Sequence, residues 1–189
     1  MRDRIIDIIN DSIHIKEQIL QAQIDNIIKA AKLIIASFRS GGKVIIFGNG
    51  GSAADAQHVA AEFVGRFQKE RAGLPAIALT TDTSILTSLS NDYGYEIVFS
   101  RQVEALARPG DVAIGISTSG KAKNVFLAIK KAKEIGLKTI CLSGGAGGEV
   151  LKFSDLALIM PSAVTARIQE AHIMVCHIIC ELVETELFK

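Results

Sequence analysis

Two stretches more than a hundred residues apart carry side chains suited to one metal and proton-transfer site: Gln57-His58-Val59-Ala60-Ala61-Glu62, and Arg167-Ile168-Gln169-Glu170 followed by His177. On a helix, His58 and Glu62 are four apart and share a face, so they could ligate one ion or bracket one substrate. Gln169 and His177 are eight apart, about 12 Å of helical rise, and meet at one ion only if both side chains reach toward each other. Imidazole nitrogen and carboxylate oxygen suit zinc, whereas an amide oxygen is a less usual ligand, so these residue types alone leave the metal open. A further ladder, His172, Cys176 and Cys180, aligns at i, i+4 and i+8, but thiols on an apolar helix are ordinarily core.

Each pair sits just beyond a segment rich in Gly, Ser and Thr, the kind of chain that holds phosphate. In Gly48-Asn49-Gly50-Gly51-Ser52-Ala53-Ala54 the glycines let backbone N–H groups approach a ligand. Ser52 is placed to cap the helix that starts there, whose positive end favours an anion. The run nearly spells G-x-G-x-x-A, but a dinucleotide site also wants an acidic residue about 20 positions on, at the end of a second strand. Asp82 comes later, behind two threonines. Ser117-Thr118-Ser119-Gly120 follows an apolar run and precedes a helix expected near Lys121. Three hydroxyls at a helix N-terminus make a neutral cradle for a phosphate monoester. The G-x-x-x-x-G-K-[ST] spacing of a nucleotide triphosphate loop is absent. The two pairs and two loops point to an enzyme acting on a phosphorylated small molecule.

The elements that must position these residues are legible in the apolar pattern. From about Ile5 to Phe38 there is no Gly or Pro, and isoleucines and leucines recur at spacings that suit one or two amphipathic helices. Beyond Gly41-Gly42 come short apolar runs, Val44 to Phe47, Ala76 to Leu79, Val112 to Ile116, Thr139 to Leu142 and Leu156 to Met160. Such continuous runs predict strands buried on both faces, in a parallel α/β sheet between helices. The residues after each strand then line one edge, where open α/β sheets bind ligands. The last segment, Ala166 to Leu187, is apolar around much of its circumference and is expected to pack on the sheet and on another subunit. With the Ile-rich N-terminal segment it predicts a homo-oligomer with a helical core.

At 189 residues the chain falls in the range of a single domain and can bury its own core. A formal charge of +1 offers no electrostatic footprint for nucleic acid or an anionic membrane. Cys141, Cys176 and Cys180 lie in apolar surroundings, as reduced thiols of a cytoplasmic protein would. Charges break the N-terminal run before it could form a signal peptide, and no segment reaches the ~20 apolar residues of a membrane span.

In combination, Phe47 to His58, Ala61-Glu62, Ser90-Asn91-Asp92-Tyr93-Gly94, Ile116 to Gly120 and Thr165 to Glu170 with His177 closely resemble the phosphoheptose isomerase family. That family has the sugar isomerase (SIS) fold, a three-layer αβα sandwich around a five-stranded parallel sheet, usually assembled as a homotetramer with sites at subunit boundaries. The resemblance covers essentially the whole chain, residues 1–189 as one SIS domain, with 1–40 as a helical segment used in oligomer packing. It implies interconversion of sedoheptulose 7-phosphate and D-glycero-D-manno-heptose 7-phosphate, the first step of bacterial heptose biosynthesis. It also implies one zinc ion per subunit held by His58, Glu62, Gln169 and His177, with Glu62 and His177 as base and acid. Asn49, Gly50, Gly51, Asn91, Asp92, Ser117, Thr118, Ser119, Glu62 and Gln169 match substrate-contacting positions, with Ser52 and Arg66 as phosphate neighbours. Where the family commonly has a further phosphate-binding serine this chain has Ala122, a gap that Lys121 or Lys123 is placed to fill. SIS proteins that bind the replication initiator or sense phosphosugars share the framework but typically replace the positions of Glu62 and His177, both present here.

Overall fold

The computed structural model describes residues 1–188. The elements in chain order are α1 (Arg2–Ala22), α2 (Ile24–Arg39), β1 (Val44–Gly48), α3 (Gly51–Val64), β2 (Ala76–Ala78), α4 (Thr83–Tyr93), α5 (Val98–Leu106), β3 (Val112–Ser117), α6 (Lys123–Ile135), β4 (Lys138–Gly144), β5 (Leu156–Met160) and α7 (Thr165–Leu187). Short 3-10 turns occupy Tyr95–Ile97 and Glu149–Phe153. The five strands form one parallel sheet in the order β2-β1-β3-β4-β5. The winding reverses between β1 and β3, so a crevice opens at their C-terminal ends, where both Gly/Ser-rich loops begin.

Every residue of β1 and β3 is buried, as continuous apolar runs require when helices cover both faces. Successive side chains serve opposite cores. Val44, Ile46 and Ile114 join α1, α2, α3 and α7 on one face, while Ile45, Phe47 and Ala113 pack with Phe99 and Ile129 on the other. The run from Ala76 departs from expectation. The strand stops at Ala78, lies on the sheet edge and leaves Ile77 38% exposed. Leu79 is still buried, and its N–H extends the ladder to the Ile46 carbonyl.

The N-terminal segment resolves into two helices, parted at Gln23 without Gly or Pro. Gln23 keeps a near-helical backbone, and its amide turns aside to donate to the Ile159 carbonyl at 3.2 Å. The second half of α1 is anchored through Ile15 and Ile19, but Ile5, Ile6, Ile8, Ile9 and Ile13 all stand exposed. On the same layer α7 leaves Ile178 and Leu182 partly uncovered. A mainly apolar groove of about 490 Å³, bordered by Ile28, Ile35 and Leu182, runs between α2 and α7. Among the described residues no helix is long and apolar enough to cross a membrane.

Candidate active site

The turn from β1 to α3 is built of small residues because the chain must reverse within a few positions. Gly50 is the N-cap and α3 begins at Gly51. Ser52 is therefore not the cap predicted for it: it lies inside the first turn, buried, with its N–H on the Asn49 carbonyl. The Ala53 N–H likewise lies on the Gly50 carbonyl, so an anion at this turn meets the N–H groups ahead of them, those of Gly50 and Gly51, and the positive end of the helix. In the second loop Ser117 is buried, Thr118 half-buried and Ser119 exposed. Gly120, at φ +64°, closes the turn, and a Cβ there would overlap the Gly147 carbonyl oxygen. The Ser119 hydroxyl accepts from the Lys121 N–H at 3.2 Å, and α6 starts at Lys123, close to where the sequence places it.

The two loops are locked together by a pair of amides. Asn49 Nδ2 donates to Asn124 Oδ1 and Asn124 Nδ2 donates to Asn49 Oδ1, each at 2.9 Å. Tyr95 Oη adds a donor to Asn49 Oδ1 at 3.3 Å. Of the two lysines beside Ala122, Lys123 pairs with Glu96 at 2.6 Å. Lys121 instead borders a cleft of about 270 Å³ with Thr118, Ser119 and Thr165. Asn91 and Asp92 end α4, exposed and bonded to each other at 2.9 Å. Asp82, the residue a dinucleotide site would have needed, caps α4 by accepting from the Ile85 N–H.

The second half of the site lies between α3 and α7, which run side by side in the same direction. Gln169 packs its amide on Gly51, where no Cβ stands in the way. Two turns on, His177 meets His58, Nε2 to Nε2 at 3.0 Å. Glu62 Oε1 lies 3.1 Å from the same His58 Nε2. One ligand atom from each of His58, Glu62 and His177 falls within 4.8 Å of the others. Two imidazole nitrogens and a carboxylate oxygen converging on one point are a donor set that fits zinc, because a single Nε2 hydrogen cannot serve both neighbours of His58. Gln169, the fourth expected ligand, has its amide against Gly51 rather than free.

Asp55, one turn before His58, carries a buried Oδ2 with no hydrogen-bond partner. Burial raises its pKa, and the fields of His58 and His177 oppose that rise. The sulfur ladder, by contrast, is core. His172 is fully buried and its Nε2 donates to the Ser143 carbonyl at 3.1 Å. Burial pulls its pKa down to about 4, the Ser143 bond notwithstanding, and pushes the Cys180 thiol up to about 12. Arg66 is not brought to the Ser52 end. The length of α3, about 20 Å at 1.5 Å per residue, separates them, and Arg66 pairs with Glu70 at 3.3 Å.

Several residues that shape the site carry no signal in their local sequence: Asn124, Tyr95 and Asp55, and the buried pair Arg71 and Glu184. A polar residue at such positions is noticed only once its partner is known.

A profile of the SIS domain matches residues 9–144. A phosphoheptose isomerase from Roseiflexus sp. (strain RS-1) is 56% identical over 185 residues, 98% of this chain and 94% of that one. Among solved structures, the phosphoheptose isomerase from Neisseria gonorrhoeae superposes with a TM-score of 0.92 at 43% identity, covering 97% of this chain and 98% of that one. That from Francisella tularensis gives 0.94 at 36% identity, covering 97% of each.

Proposed function

Because the chain belongs to the SIS domain family and, within it, to the phosphoheptose isomerases, we infer that it is an aldose-ketose isomerase. It converts sedoheptulose 7-phosphate to D-glycero-D-manno-heptose 7-phosphate through an enediol, the first step of bacterial heptose biosynthesis. The observation that carries the reading is the meeting of Glu62 with His58 and His177 where α3 and α7 run side by side, α3 leading directly from the first phosphate-type loop of the β1/β3 crevice. A non-catalytic phosphosugar binder would have no use for that cluster.

The chemistry follows from the residue types. Ser117, Thr118, Ser119 and the N–H groups of Gly50 and Gly51 take the phosphate, with Lys121 supplying charge where Ala122 offers no hydroxyl. Glu62 removes the proton from C1 of the ketose and returns it to C2 of the enediol, while His177 carries a proton from the C1 oxygen to the C2 oxygen. A zinc ion at this site would supply Lewis acidity toward the substrate's carbonyl oxygen. His58, Glu62 and His177, joined by Gln169, are the residues that would hold it. Asn91 and Asp92 are offered to the sugar hydroxyls.

The whole chain acts as one SIS unit, and residues 1–40 pack it into a homo-oligomer, a tetramer in our reading. The exposed isoleucines of α1 support this, as does the openness of the site, with His58 47% exposed at its side chain. In such an assembly Arg66 and the α4 terminus are free to serve a neighbour's site. Three free, buried cysteines fit a reducing, cytoplasmic setting.

The test is incubation of the purified protein with sedoheptulose 7-phosphate in deuterated water, followed by NMR. The parent should form the aldose with deuterium at C2, and Glu62→Gln should not. A parent that leaves the ketose unchanged, even with zinc supplied, would sink the isomerase reading.

A further inference from the structure

Beyond His58 and His177, α3 and α7 are joined once more, and this joint is buried. Glu184 lies seven residues past His177 and is 2% exposed. Its Oε1 accepts from the Phe67 N–H at 3.0 Å and from Arg71 Nε at 2.9 Å. Oε2 accepts from the N–H groups of Gln68 at 2.7 Å and Lys69 at 2.8 Å. Arg71, with its side chain 1% exposed, turns its other donors the opposite way. Nη1 reaches the carbonyls of Phe63, Ala72 and Gly65 at 2.8, 3.0 and 3.2 Å, and Nη2 reaches the carbonyl of Glu62 itself at 2.8 Å.

A helix ends with carbonyls that have no partner within it, and a cation there is favourable. Here one guanidinium closes the end of α3 and is tied through its Nε to a carboxylate on α7. As a mere spacer, a buried ion pair is a poor choice, because desolvation opposes it and apolar residues of similar volume often do as well. What the planar fork of Arg supplies is fixed direction, which neither an apolar contact nor a lysine gives.

We propose that Arg71 and Glu184 are positioning residues for the isomerisation: together they set the separation and axial register of α3 and α7, and so the spacing of Glu62, His58 and His177. The kinetic part of this proposal rests on the isomerase reading, while the metal-binding part does not. The phosphate loops lie at the far end of α3, about 20 Å away. Disturbing the clamp should therefore reach proton transfer and metal binding while leaving phosphate recognition nearly intact.

Two variants test it: Arg71→Lys keeps the charge and loses the fork, and Glu184→Gln keeps the shape and loses the charge. Both are studied well below their own unfolding midpoints. Zinc affinity is measured by competition with a chromophoric chelator, and kcat and KM with sedoheptulose 7-phosphate. Partners that orient metal ligands are typically worth 10-fold to 100-fold. The expected result is zinc affinity and kcat each weaker by about tenfold or more, with KM within about twofold of the parent. Folded variants that match the parent in zinc affinity and kcat, and differ only in melting temperature, would overturn the proposal. If Arg71→Lys does not fold, the isosteric Glu184→Gln decides alone. A parent that binds zinc but does not turn over removes the isomerase reading, and the zinc comparison still decides the clamp. A parent that does neither overturns both.

Discussion

The two ends of α3 are held by different physics. At its N-terminal end the turns Gly48 to Ser52 and Ser117 to Gly120 contain no ionisable side chain, and neutral amides link them. Toward its C-terminal end α3 meets α7 through imidazoles, carboxylates and a guanidinium. The first region is shaped by short-range chain geometry and should be indifferent to pH and metal. The second depends on the register of two helices distant in sequence and on charge, so pH, metal and single substitutions should all reach it. In the proposed reaction one end receives a constant group, and the other changes protonation during each turnover.

The sharpest test of that division is Glu62→Gln. The loss of a general base predicts a fall in kcat of about 10²-fold to 10⁴-fold with KM changed only a few-fold. A KM rise equal to the kcat loss would erase the distinction between the two ends.

Acid stability comes next, because the buried titratable groups of α7 belong to the charged region. His172 has a folded pKa of about 4, below its ordinary value, so the unfolded chain takes up a proton that the folded chain refuses. Stability should be intact above pH 6.5 and decline as pH falls toward 4, by about 3 kcal/mol in all. For Glu184, burial works to raise the pKa, but the N–H groups of Lys69, Gln68 and Phe67 and the Arg71 guanidinium outweigh it and hold it at about 2. Its contribution is therefore present above about pH 4.5 and lost as pH falls toward 2. Denaturant unfolding at a series of pH values measures both. His172→Gln, which retains a donor for the Ser143 carbonyl, should flatten the upper window alone.

At the neutral end, Gly120→Ala puts a Cβ into the Gly147 carbonyl at a positive φ. It should raise KM by tenfold or more, about 1.4 kcal/mol of lost phosphate binding, while the zinc affinity stays at the parent value. The smallest effect separates the two lysines. Lys121→Met should raise KM about threefold, under 1 kcal/mol as for an exposed charge, and Lys123→Met, which gives up only the Glu96 pair, should leave KM unchanged.

The same division explains what could be seen in the sequence. The strands announce themselves as apolar runs and the loops as glycines and hydroxyls, since both signals are local. The i, i+4 relation of His58 and Glu62 is also local. That His177 joins them is suggested by residue type but not fixed by spacing, and the family resemblance is what singles it out as a ligand. Where local reading erred, a neighbour decided the outcome. The β2 run was apolar enough for burial but lies on the sheet edge. Ser52 is a good cap displaced by Gly50. Asn124 is 75 residues from its partner and Arg71 is 113 from Glu184, so no window of sequence contains both halves.

The reciprocal bonding of Asn49 and Asn124 also bears on how this protein can vary. Each amide gives one donor and one acceptor to the other in a mostly enclosed place. Changing either alone leaves its partner's amide N–H without an acceptor, since only the two Oδ1 atoms have a further donor, Tyr95 Oη for Asn49 and the Val125 N–H for Asn124, while a joint change to a pair of matching shape leaves none. The two positions should thus drift through evolution as a unit. A library built to alter substrate preference at the loops should randomise them together, since every single-site path between two working pairs crosses a defective intermediate.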